Sequence, residues 1–430
     1  MSTLDMFEQL ELERRCLLIF AMPQVQAQII KAEQLFLTSV LAQRPDGKER
    51  ASLAAERFAR AAVETAVLND PARPKIMWVI DEGREWFGVN YPAAAWGGKN
   101  PDNFSRDTVI DDVSQFEITG LRAATGPAQM TIMLYEGFIG TQGQSVEGAP
   151  VIATLVDRRI KIRQDGSYTI TVGPEAGMPD GNHLQTRPGA KFIHIRNAFS
   201  DWETQTPDQL RIRRVAGPDA EPERSDEEIA EAAIGLIALQ VPYWLRFFEE
   251  QAISRGEPNK MGMFVARQGG WGYISSGTFR LEDDEALVIS IDALSAEYLS
   301  IQTSDLWSIP GNYIRANVSL NKTQACPNSD GTYTFVVACS DPGVWNWVDT
   351  AGLHDGSFTL RWQGIPAGEE VTQGRAIRAI RQVKLADLAS NLREDTKWVS
   401  VDERQRQLEN REASFARRLD LTKANLTWIG

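Results

Sequence analysis

The sequence predicts a mainly β fold with helical additions: two related antiparallel β-sandwich or jelly-roll domains, with helices before, between and after them. Three observations predict it. The middle of the chain alternates short runs rich in Val, Ile, Thr and aromatics with Gly and Asp turns, as half-buried strands do. Two such stretches repeat one another in order and spacing. The segments around them carry the apolar period of about 3.6 residues that marks helices.

Residues 4–43 read as helix from Leu10, Leu17, Phe20, Ile29, Ile30, Leu37 and Leu41, with Pro23 as an interruption. Arg44-Pro45-Asp46-Gly47 reads as a turn, and helix resumes over 50–68 until Asn69-Asp70-Pro71. From Met77 to about Val215 the pattern is β, as in Phe116-Glu117-Ile118-Thr119 and Tyr168-Thr169-Ile170-Thr171-Val172. Residues 217–225 form a linker. Ser225 with Glu228 three residues on is a capping box, which starts a helix over 226–240. Pro242 is expected to break it, with a second helix over 243–255. Strands return from Phe264 to about Gln363, and 382–421 reads as charged helix. The expected organisation is a helical region at 1–72, a first sandwich at 73–216, a helical linker at 217–262, a second sandwich at 263–366 and a helical arm at 367–430.

The repeat rests on named residues. Asp165-Gly166-Ser167-Tyr168-Thr169-Ile170-Thr171-Val172 parallels Asp330-Gly331-Thr332-Tyr333-Thr334-Phe335-Val336-Val337, identical at five of eight positions. Asn182-His183 stands seventeen residues beyond Asp165, and Asn346-Trp347 sixteen beyond Asp330. Phe192–Arg196 then faces Phe358–Trp362, while upstream Gln115–Leu121 and Met130–Tyr135 face Ala286–Ile291 and Leu299–Thr303. Asp-Gly gives a tight turn because glycine takes positive φ freely.

Composition narrows the function. The net charge is −13, and the basic clusters (Arg211, Arg213, Arg214; Arg404, Arg406) are short and mixed with acids, so no nucleic-acid partner is expected. Cys16, Cys326 and Cys339 are odd in number and share no spacing, which argues against a disulfide framework and for reduced thiols. The acidic N-terminus does not read as a signal peptide, and no apolar run approaches the ~18 residues of a membrane span. The expectation is a cytoplasmic protein with no membrane partner. The last segment adds another: Ser400 and Glu403 form a capping box, and Val401, Leu408, Phe415 and Leu419 form a thin apolar stripe. Such a thin stripe must lie on the protein's own sandwich or on a partner's, and a homo-oligomer with this helix as an arm across the interface is expected.

Several motifs together resemble a known family. Gly97-Gly98-Lys99-Asn100-Pro101-Asp102-Asn103 precedes a strand, and Phe199-Ser200-Asp201-Trp202-Glu203 precedes Leu210-Arg211-Ile212. The second copy has Asp341-Pro342-Gly343 with Asn346-Trp347, then Asp349-Thr350-Ala351-Gly352 and Arg361-Trp362. Over about 70–365 these features resemble the bacterial family catalogued as domain of unknown function 1214. The resemblance implies a β-sandwich-type fold and carries no agreed catalytic residues. His183 stands where relatives often carry Trp.

The chemistry is reached by elimination. His183, His194 and His354 form no metal-binding spacing, and His194 in Ile-His-Ile reads as a packed strand residue, so no metal is expected. Gly97-Gly98-Lys99-Asn100 lacks the phosphate-loop pattern and there is no GxGxxG or GxSxG, so no cofactor and no serine-hydrolase elbow are expected. What remains is a polar loop beside tryptophans. Asp349, His354 and Arg361 are the candidate catalytic groups; Asn346, Trp347, Trp362, Asn100, Asp102, Asn103 and His183 are the candidate ligand contacts. A structural reading competes: Asn and Asp cap loops, Asp349 pairs with Arg361, and Trp347 fills the core. Trp96, Trp271 and Trp345, flanked by Gly or Asn, are candidates to line an apolar or carbohydrate surface. The leading reading is a cofactor-independent enzyme of lyase, isomerase or hydrolase type acting on a small apolar or aromatic metabolite. The alternatives are a non-catalytic ligand-binding module and a jelly-roll assembly protein.

Overall fold

The computed structural model describes residues 6–142, 149–177, 181–254, 256–262 and 264–423. Helices α1 (Met6–Ala21), α2 (Pro23–Thr38) and α3 (Pro45–Leu68) form the N-terminal region. Pro23 and Pro45 stand in the first turns of α2 and α3, where a missing N–H breaks no helical bond. Arg44-Pro45-Asp46-Gly47 is therefore a helix start and not the expected turn.

Helix α4 (Asp226–Ser254) begins at the Ser225 capping box: Glu228 N donates to Ser225 Oγ (3.2 Å) and Ser225 N to the Glu228 carboxylate (2.7 Å). Contrary to expectation, α4 runs on through Pro242. Ala233, Ile237 and Val241 on one side of the proline, and Trp244 and Phe248 on the other, are buried in one core with Phe36 and Phe58. Packing on both sides holds the helix where local propensity would end it. The window 226–250 is long and apolar enough to cross a membrane by composition, and half of it is buried within the protein.

Among the described residues the first sandwich has nine strands: β1 (Met77–Trp78), β2 (Asn103–Val109), β3 (Gln115–Leu121), β4 (Gln129–Glu136), β5 (Val151–Val156), β6 (Ser167–Gly173), β7 (His183–Gln185), β8 (Ala190–Ala198) and β9 (Gln209–Ala216). The second also has nine: β10 (Phe264–Ala266), β11 (Gly272–Arg280), β12 (Glu285–Ile291), β13 (Tyr298–Ser304), β14 (Ser319–Asn321), β15 (Tyr333–Ala338), β16 (Trp347–Asp349), β17 (Asp355–Gln363) and β18 (Ile377–Lys384). The five-stranded sheets run β1-β2-β8-β4-β5 and β10-β11-β17-β13-β14; the four-stranded sheets run β9-β3-β6-β7 and β18-β12-β15-β16. Adding nine to each strand of the first sandwich gives the second. Each copy has one parallel pair, β6 with β7 and β15 with β16. The turns agree too: Gly166 and Gly331 have φ of 82° and 80°, and Asp165 and Asp330 accept from the amides of Ser167 and Thr332.

Strand β18 lies past residue 366, where the sequence reading placed the second sandwich's end and began helix. Its burial alternates only weakly, as expected of an edge strand with one wet face. The last helix, α5 (Val401–Lys423), starts at Ser400 and Glu403 as expected. Its buried stripe differs from the apolar one. Val401 is 86 % exposed, whereas Arg404, Arg411 and Arg418 are buried beside Phe415. Arg411 donates to the carbonyls of Tyr313 and Ser319 and to Ser319 Oγ (2.7 Å), and Arg418 donates to the Pro101 carbonyl (2.8 Å). The helix thus satisfies backbone acceptors at the junction of its own two sandwiches.

Two outcomes test this account. Arg411→Met strands the acceptors that Arg411 satisfies and is expected to cost about 3 kcal/mol of stability. A urea unfolding curve displaced by less than about 1 kcal/mol would refute the anchoring role. Glu64, buried on α3 among Cys16, Glu13, Arg84 and Tyr91, has its pKa raised by burial to about 7. A folded pKa above the unfolded value of 4.5 means the folded state holds the proton longer. Stability from this group is whole below pH 4.5 and declines toward pH 7, by on the order of 3 kcal/mol. Glu64→Gln should flatten that slope in unfolding curves taken between pH 5 and 7; an unaltered slope counts against the assignment.

Candidate functional site

Strands buried on both faces normally carry apolar residues on both. The central strands β8 and β17 do not. Ile193 and Ile195 of β8, and Phe358, Leu360 and Trp362 of β17, point into their own sandwiches. The opposite faces carry His194 and Arg196 in the first copy and Thr359 and Arg361 in the second. These faces, with residues of β2, β4, β11 and β13, line one cavity of about 390 Å³ between the two five-stranded sheets. Aligning the inward residues shifts the match of Phe192–Arg196 with Phe358–Trp362 read from sequence by one residue: Arg196 falls on Arg361 and His194 on Thr359, so the two copies present equivalent arginines to one space.

Helix α4 closes the cavity with Tyr243, Trp244 and Phe247, and the 96–100 segment closes it with Trp96, Gly97, Gly98, Lys99 and Asn100. The Trp96 ring lies 6.0 Å from Trp244, stacked, and 4.7 Å from His194, edge-on. Trp271 lies under two guanidinium groups, those of Arg267 (4.9 Å) and Arg196 (5.4 Å). Ile80 also lines the wall with a φ of 47°, strained for a β-branched residue, and its carbonyl accepts from Lys99 Nζ (2.6 Å).

His194 is 1 % exposed and its Nδ1 makes a hydrogen bond with Asp107 of β2. Among the described residues Nε2 has no hydrogen-bond partner. Burial pushes the Asp107 carboxyl well up, with Glu64 adding to the rise. Burial pushes the His194 imidazole well down, helped by the Arg196 charge. Both directions favour a neutral pair: the Asp107 acid donating to Nδ1, with the imidazole proton on Nε2.

The cavity wall carries Lys99, Arg196, Arg267 and Arg361, and no Asp or Glu among the described residues. Lys99 is paired with Asp81 at 2.8 Å. Arg361 donates to Gln302 Oε1 (2.7 Å) and the Lys99 carbonyl (3.4 Å), while among the described residues Arg196 donates to the Met133 sulfur (3.0 Å) alone. Burial, with Arg196 and Arg361 nearby, lowers Arg267 to about 10.

Of the candidate catalytic and ligand-contact residues read from sequence, Arg361, Asn100 and Asn103 line this cavity. The others lie elsewhere. Asp349 accepts from the Ala351 amide (2.8 Å) and does not pair with Arg361; burial raises its carboxyl. His354 is exposed and meets Asp283 at 3.0 Å. Asn346 clamps the backbone of Cys326 and Thr334, as Asn182 clamps Lys161 and Thr169 in the first copy. Trp347 and Trp362 are core residues donating to the carbonyls of Ala338 and Asp292. Asp102 is buried at the domain junction, and His183 Nδ1 meets Thr171 Oγ1 at 2.8 Å. Of the flagged tryptophans, Trp96 and Trp271 reach the cavity, whereas Trp345 lies under Lys397. His194 is packed in its strand as expected, yet it also faces the cavity. The available signal was the Ile-His-Ile-Arg alternation: a strand buried on both sides has reason to be polar on one side only where something polar is met.

No family model matches the chain, and no curated protein matches it. Solved structures do. An uncharacterised protein from Burkholderia cenocepacia is similar with a TM-score of 0.68 at 23 % identity, over 84 % of this chain and 96 % of that one. The VPA0106 protein from Vibrio parahaemolyticus is more distant, with a TM-score of 0.41 at 11 % identity over 67 % of this chain and 90 % of that one. The first likeness establishes the mainly β two-domain fold and nothing beyond it.

Proposed function

We propose that the protein is a cofactor-independent enzyme doing acid–base chemistry on a small metabolite with an apolar or aromatic body, and that the reaction takes place in the cavity between the sandwiches. The observation that carries this is the His194–Asp107 pair, buried in the wall of an aromatic-lined cavity with Nε2 unpartnered among the described residues. The proton-transfer role expected of Asp349 and His354 moves to this pair, because a general acid or base must reach the substrate.

The pair works as a relay. While Asp107 is protonated, Nε2 of His194 bears a proton and can donate it. When the pair loses one proton, the Nε2 proton leaves to substrate or solvent as the carboxyl proton passes to Nδ1, so the carboxylate accepts from Nδ1–H and the bare Nε2 becomes a base. Because burial raises the Asp107 carboxyl, the base form is gained as pH rises through that raised value. Arg361, Asn100 and Asn103 then orient the substrate, and the rings of Trp96, Trp244 and Trp271 hold its apolar part.

A second reading is a non-catalytic binding protein using the same aromatic walls. Incubating the protein with a metabolite extract and following it by mass spectrometry separates the two readings: an enzyme depletes a compound, while a binder retains it intact. On a substrate found this way, His194→Gln should lower kcat by about 10²–10⁴-fold, and Asp107→Asn should remove the rise of rate with pH. Full turnover in both variants would sink the relay.

A further inference from the structure

We propose that the cavity binds an organic oxyanion, a carboxylate or a phosphate or sulfate ester, whose charged head is held by Arg196, Arg267 and Arg361. This names the substrate class of the site above and rests on that reading of the cavity.

The charge distribution argues for it. The chain carries a net charge of −13, yet the described residues lining its inter-sandwich cavity include four cationic side chains and no acidic one. Lys99 has its counter-ion in Asp81. Two buried arginines elsewhere in the protein show the alternatives: Arg84 is paired with Glu13, and Arg411 donates to two carbonyls and a hydroxyl. Arg196, Arg267 and Arg361 make no ion pair among the described residues. Gathering like charges in a half-dry cleft is unfavourable unless a counter-charge arrives. The guanidinium fork suits planar or tetrahedral oxyanions.

The duplication explains how the cluster arose. Arg196 and Arg361 occupy the same position in the two copies, and the sandwiches face each other across the cavity, so one arginine position supplies two cations. Arg267, on the loop after β10, adds a third near the rim, where Val265 and Gln268 are exposed. Trp271 under Arg196 and Arg267 holds both heads by cation–π contact, leaving their N–H edges for a ligand. The volume of about 390 Å³ is at the small end of ligand pockets, so the anion is compact.

Isothermal titration of the full-length protein tests this with phenylacetate, naphthoate and phenyl phosphate beside the neutral amides and alcohols of the same skeletons. At least one anion should bind saturably, about 10- to 100-fold tighter than its neutral counterpart, with affinity falling as salt is raised. Arg196→Gln and Arg267→Gln, whose side chains bond little else in the protein, should each weaken that anion by about tenfold or more. The comparison of anion with neutral analogue needs no variant, so a misfolded variant does not spare the proposal. Which head group binds better identifies the source, carboxylate or phosphate ester. Equal binding of neutral and charged analogues, no saturable binding by any anion, or full affinity in both folded variants overturns the proposal. An anion bound and recovered unchanged supports it while sinking the catalytic reading; turnover of a neutral metabolite alone does the reverse.

Discussion

Asp102 is the joint on which the arrangement depends. It is fully buried, and its carboxylate accepts hydrogen bonds from Trp202 in the first copy and from Tyr298 and Asn321 in the second. A buried carboxylate must have its lone pairs filled, so these donors from two sandwiches are locked to one point. The same segment supplies the Lys99 carbonyl to Gln302 and Arg361, and the Lys99 ammonium to Asp81. The Gly97–Asn103 motif is a polar latch between domains. Because the cavity is the space between those domains, the latch sets its width.

Helices complete what the latch begins. Helix α4 spans the gap in sequence between the copies and returns over the cavity with Tyr243, Trp244 and Phe247, backed by Phe58 on α3. Helix α5 reaches the junction from the other side, where Arg418 caps the Pro101 carbonyl beside Asp102. The guanidinium heads of Arg411 and Arg418 lie over the rings of Trp202 and Phe415 while donating to backbone carbonyls, so a helix with few apolar residues still docks.

Duplication gave two copies of one scaffold, and the cavity draws different chemistry from each. Where the first copy has His194, the second has Thr359; where it has Asp107, the second has Ser276; where it has Met133, the second has Gln302. Only the arginine position is shared. One sandwich contributes the titratable pair and the other neutral hydrogen-bonding groups, which gives a site with two unlike walls from two like domains.

The sequence by itself determined the fold class, the repeat, the capping boxes at Ser225 and Ser400, and the strands that match between copies. All of these follow from local pattern: alternation, turn chemistry and caps within a few residues. It misplaced the break at Pro242, strand β18 and the buried stripe of α5, because packing against distant residues decides each. For the site it reached Arg361, Asn100 and Asn103 but drew Asp349, His354 and Asn346 toward chemistry when they serve loops and turns. Polar residues near tryptophans look alike in sequence whether they clamp a backbone or face a ligand. Only the tertiary structure decided that His194, Arg196, Arg267 and Arg361 meet, since they come from strands and loops of two domains. Their separation in the chain exceeds any local period, and their convergence exists only once the latch at Asp102 has closed.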